Sequence, residues 1–454
     1  MTQTKASIIS PEIKEILSSP EKKERLCKFF DDMHPHDIYI LAQGLTPGEI
    51  AEIVMALGMP KGIEFFQEFK IRRQRQIFRQ FPKEWMADVL EEMAPDERAD
   101  FIKVLPRERT EEILPLVAQA ERNDIKKLLA YEEDTAGSIL TTEYASLPLD
   151  ITVKEAFERI KLQAFNRETI YYVYVIDQER KLLGIVSLKN LLVADSNSKI
   201  SDVMHPQVIT VNVNEDKEVV AKRLSDYDFL AIPVVDNDNK LVGIVTVDDV
   251  VDVVVEENTE DIYKYGAAGT YIDYMGSNAV HIAKQRIMWL LVLVVMGFVS
   301  AWIMEKYTLQ LQSVIALVFF LPLLSGSGGN AGTQSSTVII RGLATGEVRM
   351  KDVLKVLRKE LVTGVFVGLA MGVLAAFRAI VMNRSPLLGL TVGLAMIITV
   401  TVATTLGAML PLVFKKLKLD PALMSGPFIA SIVDIITIIV YLQIATVVFS
   451  LSGA

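Results

Sequence analysis

The 454-residue chain, 51% hydrophobic and 23% charged, can hold several domains, and its charge is split unevenly along its length. Residues 287–454 carry 12 Lys and Arg against 6 Asp and Glu, a net of +6; the remaining 35 basic and 50 acidic residues give residues 1–286 a net of −15. Such an acidic front half repels nucleic acid and anionic lipid and attracts cations. A single cysteine, Cys27, excludes an intrachain disulfide framework and fits a reducing cytosol.

Residues 1–135 read as an all-α region, and the opening MTQTKASIIS has no signal-peptide h-region. Ala87–Met93, Ala99–Leu105 and Glu111–Val117 recur at steps of 12, with Pro82, Pro95 and Pro106 in the joints, where proline suits the first turn of a helix. One short helix and a turn per repeat predict a small superhelix with Leu90, Ile102 and Leu114 in its core. The acidic residues between them, Asp88, Glu91, Glu92, Asp96, Glu97 and Asp100, read as a solvated face, a subset of which is open to a metal ion.

Residues 136–255 change period. Tyr171–Asp177 and Lys181–Ser187 read as paired strands, and so do Ala231–Asp236 and Lys240–Thr246; Asp177 and Asp236 are 59 apart, as are Gly184 and Gly243. The spacing predicts a duplicated β-β-α unit, and here the sequence resembles a tandem pair of CBS modules. The second copy is the fuller match, Pro233-Val-Val-Asp236 followed by Gly243-Ile-Val-Thr246-Val-Asp248-Asp249. Such modules often bind adenosine nucleotides, and the resemblance implies Thr246 at a phosphate and Asp249 at a ribose. The first copy departs, with Asn190 where an aspartate is expected. A purely structural or dimerising pair is the alternative.

Residues 256–286 connect the two halves. Asp249, Asp252 and Glu256 fall on one helical face, and Glu257, Glu260 and Asp261 follow. Like charges three and four residues apart destabilise a helix by roughly 0.2–0.5 kcal/mol a pair. A divalent cation removes that cost, and carboxylate ligands favour Mg²⁺ or Ca²⁺; a solvated acidic helix end is the alternative. Tyr271–Lys284 is predicted to form an amphipathic helix leading into the membrane.

Residues 287–454 hold five apolar segments long enough to cross a bilayer, at 287–304 and near 311–340, 361–380, 387–414 and 423–449. The second is predicted to be interrupted over Ser325–Thr333, SGSGGNAGT. Backbone at Gly328, Gly329 and Asn330, and at Gly426 in the fifth segment, would then line a hydrated path, close packing of small residues being the alternative. One loop carries Arg341, Arg349, Lys351, Lys355, Arg358 and Lys359 and another Lys415, Lys416 and Lys418, while the opposite loops hold Lys306, Arg378 and Arg384. The positive-inside rule therefore places the N-terminus in the cytoplasm and the C-terminus outside.

Asp434 stands in an otherwise uncharged run, Ser425–Leu442. An ionised carboxylate among Ile and Val is costly in lipid and belongs at a bundle interior or a water-filled path, which makes it a cation-site candidate. A carboxylate reaching the interface is the alternative. The four histidines, His34, His36, His205 and His281, form no HExxH, and no Ser/His/Asp or Cys/His set is apparent, so the chain does not read as an enzyme.

Three further stretches accompany this order of parts: Tyr131-Glu-Glu-Asp134-Thr-Ala-Gly137, Gly328-Gly329-Asn330-Ala-Gly332-Thr-Gln334, and Gly426-Pro427 ahead of Asp434. Together they resemble the MgtE family of magnesium channels over essentially the whole chain. The resemblance implies an all-α superhelical N-type domain at 1–135, an α+β tandem CBS pair at 136–255, a connecting (plug) helix at 256–286 and a transmembrane bundle of five helices at 287–454. It implies a homodimer in the cytoplasmic membrane, with a pore on the two-fold axis and Asp434 lining it. It further implies Mg²⁺ influx that is closed by Mg²⁺ at Asp216, Asp228, Asp249, Asp252, Glu257, Glu260 and Asp261, with Asp88, Glu92 and Asp96 as additional candidates, and ATP as a second regulatory ligand. Two other readings remain open. One is a transporter for Co²⁺ or Mn²⁺, against which the lack of His or Cys near Asp434 counts. The other is a membrane-anchored nucleotide sensor without transport, against which Asp434 itself counts.

Overall fold

The computed structural model describes residues 11–383, 385–424 and 426–452; the opening decapeptide, Arg384 and Ser425, named above, lie outside the described residues. The chain forms two compact units, one ending at Val254 and one beginning at Val255.

The first unit opens with short helices: α1 (11–17), α2 (Lys22–Phe30), α3 (Pro35–Ala42), α4 (Pro47–Leu57), α5 (Lys61–Gln67), α6 (Ile71–Phe78), α7 (Lys83–Glu92), α8 (Pro95–Val104), α9 (Arg107–Ile113) and α10 (Gln119–Leu128). The 12-residue period becomes α7, α8 and α9; Pro95 opens α8, and Pro82 and Pro106 stand just before α7 and α9. Leu90 and Ile102 are buried as expected. Leu114 is only half-buried, because the chain tightens into a 3-10 turn at Leu114–Leu116 around Pro115, and burial passes to Ile113 and Val117.

The CBS pair follows as β1 (Tyr144–Leu147), α11 (Val153–Gln163), β2 (Thr169–Ile176), β3 (Leu182–Ser187), α12 (Leu188–Val193), α13 (Ile200–Val203), β4 (Val211–Asn212), α14 (Lys217–Asp226), β5 (Ala231–Val235), β6 (Leu241–Thr246) and α15 (Val247–Tyr265). Each module is a three-stranded sheet, β1-β2-β3 and β4-β5-β6, whose first pair is parallel and second antiparallel. The repeated features have local causes. Asp177 Oδ1 accepts from the Glu179 and Lys181 amides, both at 2.8 Å, and Asp236 Oδ1 accepts from Asp238 and Lys240, both at 2.9 Å, so each aspartate closes a hairpin turn. Gly184 and Gly243 sit where another segment pairs with the strand, through the bridges Ile185–His205 and Thr141–Ile244. A Cβ on Gly243 would lie 2.6 Å from the Thr141 carbonyl oxygen. Ala99 and Leu128 of the helical region share a core with Ile232, Val250 and Val253, which docks α8 against the second module and α15.

Two expectations for the second unit are corrected. No helix spans Tyr271–Lys284. Instead α15 runs on from β6 to Tyr265, the chain turns with Ala267 and Gly269 at positive φ, and α16 (Ala279–Lys306) begins where the Asn278 side chain accepts the Val280 amide at 2.7 Å. The glycine-rich stretch is likewise not an interruption: α18 (Leu321–Ala344) is continuous through it. The irregular part lies upstream, as α17 (Thr308–Ser313) and a 3-10 segment, Ile315–Phe320. With α19 (Val353–Asn383), α20 (Pro386–Lys416) and α21 (Gly426–Ser452), the described residues of this unit include five helical segments long and apolar enough to cross a membrane. Close packing is what the glycines provide: a Cβ on Gly328 would meet Thr399 Cγ2 at 2.8 Å and Val433 Cγ1 at 2.9 Å.

Candidate cation sites

Asp434 is half-buried on α21, one turn below Ala430. Ser325 on α18 donates its hydroxyl to Asp434 Oδ1, which ties the two helices at the carboxylate. Around them lies a cleft of about 510 Å³, lined by Pro322, Gly326, Gly329, Asn330, Thr333, Gly426, Pro427 and Ala430 as well as Ser325 and Asp434. The predicted pore residues thus divide. Gly329, Asn330 and Gly426 line the cleft with Asp434, whereas Gly328 is buried against α20 and α21. Because Gly328, Gly329 and Asn330 are helical, they reach the cleft by surface and, at Asn330, by its exposed amide, rather than as an unpaired carbonyl array.

Tyr265 and Gly266, at the end of α15, complete the cleft wall. The Tyr265 hydroxyl lies 3.0 Å from the Thr333 carbonyl oxygen, to which it donates, and 2.6 Å from Thr337 Oγ1. Next to it, Lys264 Nζ lies 2.5 Å from Glu260 Oε1 and 2.7 Å from Asp420 Oδ2. Burial alone would lower the Lys264 pKa, but the hydrogen bonds to Asp420 and Glu260 outweigh it and hold the ammonium above its ordinary value. Asp261 is pushed above the usual carboxylate range, first by burial and then by the charge on Asp420. The sequence reading had Glu260 and Asp261 but neither Lys264, Tyr265 nor Asp420, whose meeting depends on a fold contact 156 residues apart in sequence.

A second acidic group forms in the first unit, where α8 meets α15. Burial pushes Asp96 well above the carboxylate range, with Asp249 and Glu97 adding repulsion. Glu97 is open to solvent along one side, yet the protein packed about it lifts its carboxyl to about 7; the Gln67 amide acts the other way, and Asp249, Glu168 and Asp252 add to the rise. Asp249 is raised by burial despite the hydrogen bond it accepts from the Thr246 hydroxyl at 2.6 Å. Glu168 rises through burial and the charges on Asp248 and Asp249. The nearby Arg98 does not neutralise this group, since it turns inward and donates to the Met93 carbonyl at 2.7 Å. Glu97 thus keeps the exposure the sequence predicts while facing carboxylates of other segments, and Glu168 is an addition from a separate segment.

The other predicted residues lie apart. Asp88 and Glu92 stay on the exposed face of α7. Asp216 caps α14 by accepting the Glu218 amide at 2.7 Å, and Asp228 is exposed just past the end of that helix at φ 53°. Glu257 is half-buried on α15. Among the described residues no three His, Cys, Asp or Glu side chains converge closely enough to hold a bare metal ion.

Five apolar helices among the described residues, two of them walling a half-buried carboxylate, joined to an acidic helical region and a CBS pair, define a multi-pass membrane transporter. Family models agree in chain order: an MgtE intracellular N domain over 33–134, CBS domains over 136–197 and 200–256, and a divalent cation transporter over 321–444. The magnesium transporter MgtE of Thermus thermophilus is 35% identical over 434 residues, covering 95% of this chain and 94% of its own. That of Bacillus subtilis is 35% identical over 416 residues, 92% of each chain. A crystal structure of the soluble part of a magnesium transporter matches at 34% identity and TM-score 0.51, over 56% of this chain and 99% of that one. The cytosolic domain of the Mg²⁺ channel MgtE in complex with ATP matches at 32% identity and TM-score 0.51, over 54% and 99%. The chain belongs to the MgtE family.

Proposed function

We propose that this chain carries Mg²⁺ into the cell as a homodimer in the cytoplasmic membrane, with its N-terminus in the cytoplasm and its C-terminus outside. The observation that carries the reading is Asp434, a half-buried carboxylate held by Ser325 in a polar cleft between helices that cross the membrane. One carboxylate is little for a divalent ion; two, related by a two-fold axis, match its charge. Mg²⁺ gives up water reluctantly, and a cleft of about 510 Å³ leaves room for its hydration shell. The oxygen donors of Ser325, Asn330, Thr333 and Asp434, with no His or Cys in the lining, suit a hard cation such as Mg²⁺ and count against softer Co²⁺. Passive entry is driven by the inside-negative potential, about 4.6 kcal/mol for a divalent ion per 100 mV. The test is Mg²⁺ uptake into liposomes carrying the purified chain under such a potential: uptake no faster than into empty liposomes sinks the reading.

Closure is assigned to Mg²⁺ at the acidic groups, Asp96, Glu97, Glu168, Asp249 and Asp252 in the first unit and Glu257, Glu260 and Asp261 on the later part of α15, with Asp216, Asp228, Asp88 and Glu92 as peripheral acidic residues. Support comes from crowded carboxylates whose pKa values rise through burial, a cost that a hydrated cation relieves. The linkage has a definite sign. Glu97 binds its proton more tightly folded than unfolded, so its contribution to stability is full below the ordinary carboxylate range and is lost as pH rises through about 7. In EDTA, limited proteolysis of the chain in detergent is expected to be faster at pH 8 than at pH 6, and Mg²⁺ is expected to slow it at pH 8. Equal rates with and without Mg²⁺ would remove the closing-site idea. ATP is proposed as a second regulatory ligand of the CBS pair, supported by the relative bound to it. Thr246 and Asp249 are hydrogen-bonded to each other, so a nucleotide there must separate them.

A further inference from the structure

A second cavity in this unit shares no residue with the cation cleft, although Leu323 in its wall stands between Pro322 and Ser325 of the cleft on α18. It measures about 700 Å³ and lies where the 3-10 segment Ile315–Phe320 leads into α18 beside the end of α19 and the buried Met396 of α20. A cavity of roughly 300–1,000 Å³ is of ligand size. Its walls are apolar, with Phe319, Leu323, Leu374 and Met382 also facing outward; each is more than 40% exposed. The polar wall residues are Arg378 and Asn383.

Arg378 is the unusual member. It lies little more than a turn before α19 ends at Asn383, within a helix long and apolar enough to cross the membrane. A guanidinium near the hydrocarbon needs a partner or a route to the interface. Among the described residues no carboxylate pairs with it. It also stands at the end of α19 opposite Lys355, Arg358 and Lys359, where basic residues are the exception. The cation cleft makes no use of it.

We propose that this cavity is a phospholipid site, in which Arg378 binds the lipid phosphodiester and the apolar wall holds an acyl chain. A guanidinium meets phosphate with two parallel N–H donors, so charge and shape both match. The Asn383 amide, at the same polar end, offers a further donor to headgroup oxygens. The apolar part needs a chain-like occupant, because its outward residues face the bilayer in a membrane-spanning helix. The irregular segment brings Phe319 and Phe320 into the cavity wall together with residues of α19.

The test counts phospholipid retained by the full-length chain, purified in mild detergent and titrated with phosphatidylglycerol, by native mass spectrometry. Wild type is expected to hold a lipid that Arg378→Gln binds roughly tenfold less tightly, as befits the loss of a charge-assisted hydrogen bond. Arg378→Lys is expected to recover part of the binding, and millimolar inorganic phosphate is expected not to displace the lipid. Leu374→Trp, which fills the apolar half, is expected to weaken binding while Arg378 is intact; should that variant fail to fold, Arg378→Gln alone decides. Equal retention by wild type and Arg378→Gln overturns the proposal. So does displacement by inorganic phosphate, or a lipid-free wild type in which Leu374→Trp instead dissociates a dimer, which would make the cavity a contact between copies.

Discussion

Alanine at Asp434 is expected to lower Mg²⁺ uptake into liposomes by on the order of 100-fold or more. Each charge-assisted contact to the ion is worth about 1.5–3 kcal/mol, so loss of both carboxylates of the proposed dimer compounds. Asp434→Asn separates charge from shape. It keeps the size and a hydrogen-bonding oxygen for the Ser325 hydroxyl, and it removes only the ionised group. It is expected to be nearly as defective as alanine. Uptake at the wild-type rate by either variant would refute the assignment of the ion to this carboxylate.

The second large effect concerns the contact between α18 and α20. A Cβ on Gly407 would sit 2.1 Å from the Gly332 carbonyl oxygen and 2.9 Å from its Cα, and backbone cannot swing aside as a side chain does. Gly407→Ala is therefore expected to force the helices apart. The cost should reach or exceed the usual 1–3 kcal/mol, roughly, of an overpacked core. Thermal melting in detergent, followed by loss of the monodisperse species, is the readout. Gly297→Ala on α16 is the control, because nothing lies within 4 Å of its added Cβ. Its melting point is expected to hold or rise, alanine being the better helix former by roughly 1 kcal/mol. A Gly407→Ala chain that melts like wild type would show that the two helices do not depend on that approach.

Much of the architecture was legible because it repeats. The 12-residue period named α7, α8 and α9, and the 59-residue offset named both antiparallel hairpins. What was missed has little pattern to read. Strands β1 and β4 are four and two residues long, too short for alternation to show. Ser325–Thr333 looked like a break because glycine is a poor helix former in isolation, but close packing against α20 and α21 overrides that preference. The site divides in the same way. Asp434 stood out as a lone charge in an apolar run. Its partner Ser325 did not, nor did Glu97, Glu168 and Asp420, because each acquires its meaning only from a neighbour far away in sequence.

Lys264 has a consequence of its own. Its ammonium stands between Glu260 and Asp420, where a free cation would otherwise be drawn, but it is attached to the helix it secures. A tethered charge has a fixed effective concentration, which no change in the surrounding solution can dilute. Part of the force holding the end of α15 beside the Asp434 cleft is therefore constant, and on the proposed closure only the remainder falls to a diffusible ion. In the closure proposed above, Lys264 sets an offset: the level of free cation at which the balance tips is written partly into the covalent chain.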